Sequence, residues 1–154
     1  MARYTAEIEW RLQPGEDFLK GRYSRGHEIR FDGGIALAAS ASPHVVGKWA
    51  IEAAADPEEL LIAALANCHM LSFLHVARDA GFLATAYTDA AEGMMGEIAP
   101  GRQAITHVTL HPCISWEGDA PGAARLAQMH HEAHEICYIA NSVRTEITIA
   151  APGA

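Results

Sequence analysis

Residues 56–81 read DPEELLIAALANCHMLSFLHVARDAG, and the reading of this stretch decides the fold. Asp56 is placed as a helix N-cap, with Pro57 at the first helical position, where its missing N–H costs nothing, and Glu59 completing a capping-box pair. From Leu60 to Ala77 the chain then runs without a single Asp, Glu, Lys or Arg before Arg78-Asp79-Ala80-Gly81 ends the helix. A run of that length is just long enough to suggest a bilayer span. Asn67, His69, Ser72 and His75 inside it, and strand-like sequence on both sides, point instead to a long buried central helix. A helix apolar on nearly every face wants cover on every face.

Working outward, residues 3–12 alternate as a first strand, and His27–Phe31, Asp32-Gly33-Gly34 and Ile35–Ser40 read as a hairpin turning at Asp-Gly. Gln13–Ser24 and Ala41–Asp56 read as loops. Beyond the helix, Leu83–Ile98 and Arg102–Trp116 read as long strands joined at Ala99-Pro100-Gly101. In the second, Ala104, Thr106, Val108, Leu110, Ile114 and Trp116 share one face, and His107, Thr109, His111, Cys113 and Ser115 the other. Asp119-Ala120-Pro121 opens a second helix with Leu126, Met129, Ala133 and Ile136 at helical spacing, reaching Cys137. Val143–Ile149 closes the chain as a short strand. The order predicts an α+β domain with antiparallel hairpins and two helices, a single domain over 1–154.

The 154 residues carry 11 Lys+Arg against 19 Asp+Glu, a formal net charge of -8, with 50% hydrophobic residues. That length and apolar content build a core without disulfides or a structural metal and exclude intrinsic disorder. The acidic balance argues against nucleic acid or an anionic membrane as partner, since both demand clustered cations. The N-terminus has no uninterrupted apolar run of signal-peptide length and carries Glu7 and Glu9 within its alternation. Three cysteines, Cys68, Cys113 and Cys137, are widely separated with no CxxC and read as cytosolic thiols. The expected location is cytoplasmic.

Each thiol is either core or chemistry. Cys68 lies mid-helix, well beyond the first turn that follows the Asp56 cap, too deep for the helix dipole to activate it. A reactive Cys68 therefore needs a cation from elsewhere, and Arg22-Tyr23-Ser24-Arg25-Gly26-His27 is the obvious source. Lowering a thiol pKa by two requires about 2.7 kcal/mol of differential stabilisation, within reach of one arginine in a dry pocket. Cys137 ends the second helix, one turn beyond Ala133. Cys113, His107 and His111 lie on one strand face, but alternate residues there are already roughly 7 Å apart, so a solvent or subunit face is the simpler reading than a metal site. His130-His131-Glu132-Ala133-His134 departs from the zinc-protease pattern, which puts Glu directly after the first His, and reads as a partly solvated helix face. No metal site is expected.

Asp56-Pro57-Glu58-Glu59-Leu60, then Ala63-Ala64-Leu65-Ala66-Asn67-Cys68-His69-Met70, with Cys137 before a closing strand, resembles the OsmC/Ohr family of osmotically inducible and organic-hydroperoxide-resistance proteins. The likeness runs from the Asp-Gly-Gly hairpin to Asn141-Ser142-Val143-Arg144-Thr145-Glu146, and it is closest to the OsmC-like branch with a Tyr-Ser-Arg-x-His stretch, here Tyr23–His27. The resemblance implies an OsmC-like fold as an intertwined homodimer, with sites at the subunit interface and thiol-dependent reduction of hydroperoxides. It implies that Cys68 is the peroxidatic cysteine, Cys137 the resolving one, and Glu58 the carboxylate that orients an active-site arginine. Arg25 is assigned that role, with Arg22 as the alternative. Tyr138 follows Cys137 where the family commonly has Pro.

Glu58 and Cys68 are about 15 Å apart along one helix and about 80° apart around it, so convergence on one guanidinium takes a residue from a partner subunit. The expected activity is a cysteine-based peroxidase acting on hydroperoxides, organic ones because the pocket is expected to be built largely from Leu, Met and Phe. No bound cofactor is expected, and an external dithiol of the lipoyl or thioredoxin type reduces the enzyme. The alternative is a non-catalytic small-ligand-binding protein on the same fold.

Overall fold

In the computed structural model, which describes residues 1–150, the Asp32-Gly33-Gly34 hairpin belongs to a three-stranded antiparallel sheet. Its strands are β1 (Ala6–Glu9), β2 (His27–Phe31) and β3 (Ala36–Ala39), in the order β1-β2-β3. Ile8, Ile29 and Leu37 stand in register across it. The Ala41–Asp56 stretch is not wholly irregular: it holds a short helix α1 (Pro43–Val46) and a 3-10 turn (Gly47–Trp49). This unit runs from Met1 to Leu60, and a second from Leu61 to Ala154, the division falling inside helix α2 (Pro57–Asp79).

The capping box forms as expected. The Asp56 carboxylate accepts the Glu59 N–H at 2.8 Å and Glu59 accepts the Asp56 N–H at 3.0 Å, satisfying two donors that a helix start leaves orphaned. Gly81, at φ 81°, takes the left-handed conformation that ends the helix. By length and composition α2 could cross a membrane. One stripe of it, Leu65, His69, Phe73 and Ala77 at four-residue spacing, is buried. The opposite stripe, Ala63, Asn67, Leu71 and His75, is exposed, so a single chain does not supply the all-round cover expected.

Both long strands expected after α2 are broken. β4 (Leu83–Asp89) pairs with β7 (Pro112–Glu117), and β5 (Glu92–Ala99) with β6 (Arg102–Leu110), so one hairpin is bent into two antiparallel pairs. Pro112 lacks the N–H to continue a ladder and sits at the first position of its strand. The His111 N–H instead meets the Asp89 carboxylate at 2.7 Å across the bend. The inward face survives the break: Val108 and Leu110 are buried, Ile114 and Trp116 half-buried. At Gly93 a Cβ would overlap Ile62 of α2, so glycine lets β5 approach the helix.

α3 (Ala123–Ile136) follows, and β8 (Glu146–Ile149) then joins β6 in parallel, the one parallel strand pairing among the described residues. The excursion through β7 and α3 makes the parallel return possible. Two apolar clusters fill this unit. Phe73 and Ala77 pack with Met129 and Ala133 of α3, and Leu65 packs with Val108 and Leu110 of β6.

Candidate active site

Cys68 projects between the buried and exposed stripes of α2 and is half-buried. Cys137 is the C-cap residue of α3, 1% exposed, its N–H donating to the His134 carbonyl at 3.1 Å. The two thiols, far apart in the chain, lie near enough to influence one another, and both are reduced. Burial pushes the Cys137 thiol up, and the neighbouring Cys68 thiol pushes it further, against the Ala140 N–H that reaches its sulfur at 3.4 Å. Cys137 is therefore held protonated.

Cys68 opens onto a groove of about 660 Å³. Leu71, Ile136 and Tyr138 supply its apolar side, and His75, Glu135 and Asn141 its polar side. The Leu, Met and Phe lining expected from the sequence is thus corrected. Phe73 of α2 and Met129 of α3 face the core because they fall on the stripe that packs helix to helix. Tyr138, 80% exposed, stands in the groove. Ile136 also changes role: its spacing places it on the apolar stripe of α3, but Cys137 is buried there and Ile136 faces the groove.

The N-terminal unit holds Arg25 and Glu58. The Arg25 guanidinium lies 3.5 Å from the centroid of the Tyr23 ring and donates to the Tyr23 carbonyl, while its backbone N–H bonds the Trp49 carbonyl at 2.9 Å. Glu58, half-buried in the first turn of α2, makes no side-chain hydrogen bond or ion pair among the described residues. The two are not paired within one chain. Arg22 is exposed, its backbone bridged to Asp17.

The histidine cluster needs a correction. His131 is exposed, as a solvated face requires, but His130 is 6% exposed and turned inward. Its Nδ1 is 3.1 Å from Nε2 of His69, itself 2% exposed, and its ring stacks on Phe73 at 4.3 Å. Burial lowers both histidines to about 4, with the His130 and His134 charges adding at His69. Sequence reading missed this pair. The signal was available: His69 repeats the four-residue spacing of Leu65 and Phe73, and His130 lies four residues after Leu126. On the β6–β7 face, His107 bonds Glu146 at 3.0 Å, His111 lies 4.0 Å from Glu92, and Cys113 is exposed. No group of three metal-ligating side chains converges among the described residues.

A chain of this topology has counterparts in known proteins. The family model described as OsmC-like protein matches residues 50–151. The chain belongs to the OsmC-like family. Its structure is similar to that of an OsmC-like protein of unknown function from Vibrio cholerae, at 43% identity over 97% of this chain and 99% of that one, with a TM-score of 0.93. Two further OsmC-like folds are organic hydroperoxide resistance proteins. One, from Elizabethkingia anophelis with thiocyanate bound, is 19% identical over 100% and 98% of the two chains at TM-score 0.75. The other, from Legionella pneumophila, is 20% identical over 99% and 100% at TM-score 0.70. No curated protein matches the sequence significantly.

Proposed function

We propose that this OsmC-like chain is a two-cysteine peroxidase that reduces organic hydroperoxides. The observation that carries the reading is the proximity of the Cys68 and Cys137 thiols, near enough that Cys68 helps push the Cys137 thiol up. The groove beside Cys68 has room for an organic substituent against Leu71, Ile136 and Tyr138. Relatives of the same fold described as organic hydroperoxide resistance proteins add support.

In the proposed cycle the Cys68 thiolate attacks the terminal peroxide oxygen. The O–O bond breaks, the alkoxide leaves and takes a proton as the alcohol, and Cys68 becomes a sulfenic acid. Cys137 then attacks that sulfur, losing its proton as hydroxide leaves as water, and the disulfide forms. Because Cys137 is held protonated until then, it does not compete for peroxide. An external dithiol of the lipoyl or thioredoxin type reduces the disulfide, and no bound cofactor takes part.

The proposed working unit is a cytoplasmic homodimer in which the two units of each chain act as one OsmC-like domain. The uncovered stripe of α2 calls for a partner, and so does the unpaired state of Glu58. Arg25, or else Arg22, supplies the cation, with Glu58 orienting it from across the interface. The rival reading, a non-catalytic small-ligand-binding protein, draws on the Arg25 guanidinium being stacked on Tyr23. One equivalent of cumene hydroperoxide separates them. The peroxidase yields a Cys68–Cys137 disulfide and leaves Cys113 reduced, read by peptide mapping. Unreacted Cys68, or sulfinic acid there with Cys137 intact, defeats the two-cysteine cycle.

A further inference from the structure

The C-terminal unit holds a second concavity that the thiol chemistry does not use. It is a groove of about 330 Å³ lined by α3 and β8, with Leu126, Ala127, Ile147 and Ile149 as its apolar wall and His130, His131 and His134 as its polar groups. That volume lies at the low end of small-molecule sites, roughly 300–1,000 Å³. No carboxylate lines it.

His130 gives the groove its chemistry. The ring is 6% exposed, and its Nδ1 is taken by His69. Nε2 of His130 has no hydrogen-bond partner among the described residues and is not sealed from the groove that the ring lines. On the far side of the pair, Nδ1 of His69 is buried without any partner among the described residues. Two tautomer pairings satisfy the shared bond: one leaves a proton on that orphaned atom, the other only a lone pair. Buried orphan N–H groups are the rarer, so the network assigns the proton of the shared bond to His69 Nε2. His130 then carries its own proton on Nε2 and offers it to the groove. Burial keeps the imidazole neutral at pH 7, so the donor persists there.

We propose that this groove binds a small aliphatic monocarboxylic acid, its chain against Leu126, Ile147 and Ile149 and its carboxylate accepting the His130 Nε2–H bond. Three imidazoles without a neighbouring acid suit an anionic acceptor and disfavour an amine. The site is separate from the Cys68 groove, with which it shares no lining residue.

The test uses the full chain and octanoate, by calorimetry and by the carbonyl resonance of 1-13C-octanoate. Saturable binding at one site per chain is expected, with octylamine and methyl octanoate at least tenfold weaker. Ala127→Trp, at an exposed helix position where the fold tolerates it, fills the groove and abolishes binding. His130→Gln weakens it at least tenfold, and Cys68→Ser leaves it unchanged. The proposal is overturned if octanoate does not saturate, if Ala127→Trp binds as the parent does, if octylamine binds as well as octanoate, or if Cys68→Ser abolishes binding. Tight Zn2+ binding that excludes octanoate and is lost in His130→Gln would likewise replace it with a metal site.

Discussion

Acidification should strip stability from this protein through the His69–His130 pair, in a pH window that the structure defines. Both imidazoles are neutral when folded, with pKa lowered from 6.5 to about 4 chiefly by burial. The unfolded chain binds protons first, so between pH 6.5 and 4 it holds more of them than the native state. Stability then falls as pH drops through that window and is level above it. For one histidine so displaced the loss is about 2 kcal/mol at pH 5 and approaches about 3.4 kcal/mol below pH 4. The two rings are in contact and do not add independently, so about 2–4 kcal/mol at pH 5 is the expected span. The nearby His134 adds positive charge on the same side.

Urea unfolding of reduced protein at pH 7.5, 6.5, 5.5 and 5.0, for the parent and for His69→Gln/His130→Gln, isolates the effect, because every other titrating group is common to both. Between the highest and lowest of these pH values the parent should lose about 2–4 kcal/mol more than the double variant. Should the double variant fail to fold, His69→Gln alone is expected to remove about half of the dependence. Equal slopes for parent and variants would refute the buried neutral pair.

Three further outcomes are expected. Arg25→Ala should slow single-turnover Cys68 oxidation at least tenfold, about 1.4 kcal/mol, with Arg25→Lys between and Glu58→Ala losing less; a loss in Arg22→Ala alone would move the role to Arg22. Sedimentation at micromolar concentration should give twice the 16.5 kDa chain mass, and a monomer would remove the shared-site argument. Asp56→Ala should lower the unfolding free energy by about 1 kcal/mol through loss of the α2 cap, with no change in Cys68 oxidation rate if the cap serves the helix alone.

How much of this was legible in sequence follows from what each interaction depends on. The cap at Asp56, the stop at Gly81, the Asp-Gly hairpin and the inward face of β6 are set by residues within one turn or one strand. Local chemistry and periodicity reveal those directly. They also reveal the depth of Cys68 within α2, which rules out activation by the helix dipole, so that a reactive Cys68 would require a cation from elsewhere.

What lay beyond reach was partnership. Periodicity shows which face of a helix turns inward and not what it meets there, so the Cys68–Cys137 proximity is reached from sequence only through a family resemblance. His130 reads as solvated because an imidazole carries no fixed preference. Only tertiary structure set His69 opposite it, where one hydrogen bond makes burying two neutral rings tolerable. Pro112 lies inside the stretch Arg102–Trp116 that reads as one strand; the hairpin bends there, with the Asp89 carboxylate across the bend accepting the His111 N–H. The parallel seat of β8 on β6 depended on where α3 returned the chain. Local sequence determined which elements form, and long-range packing decided which side chains those elements bring together.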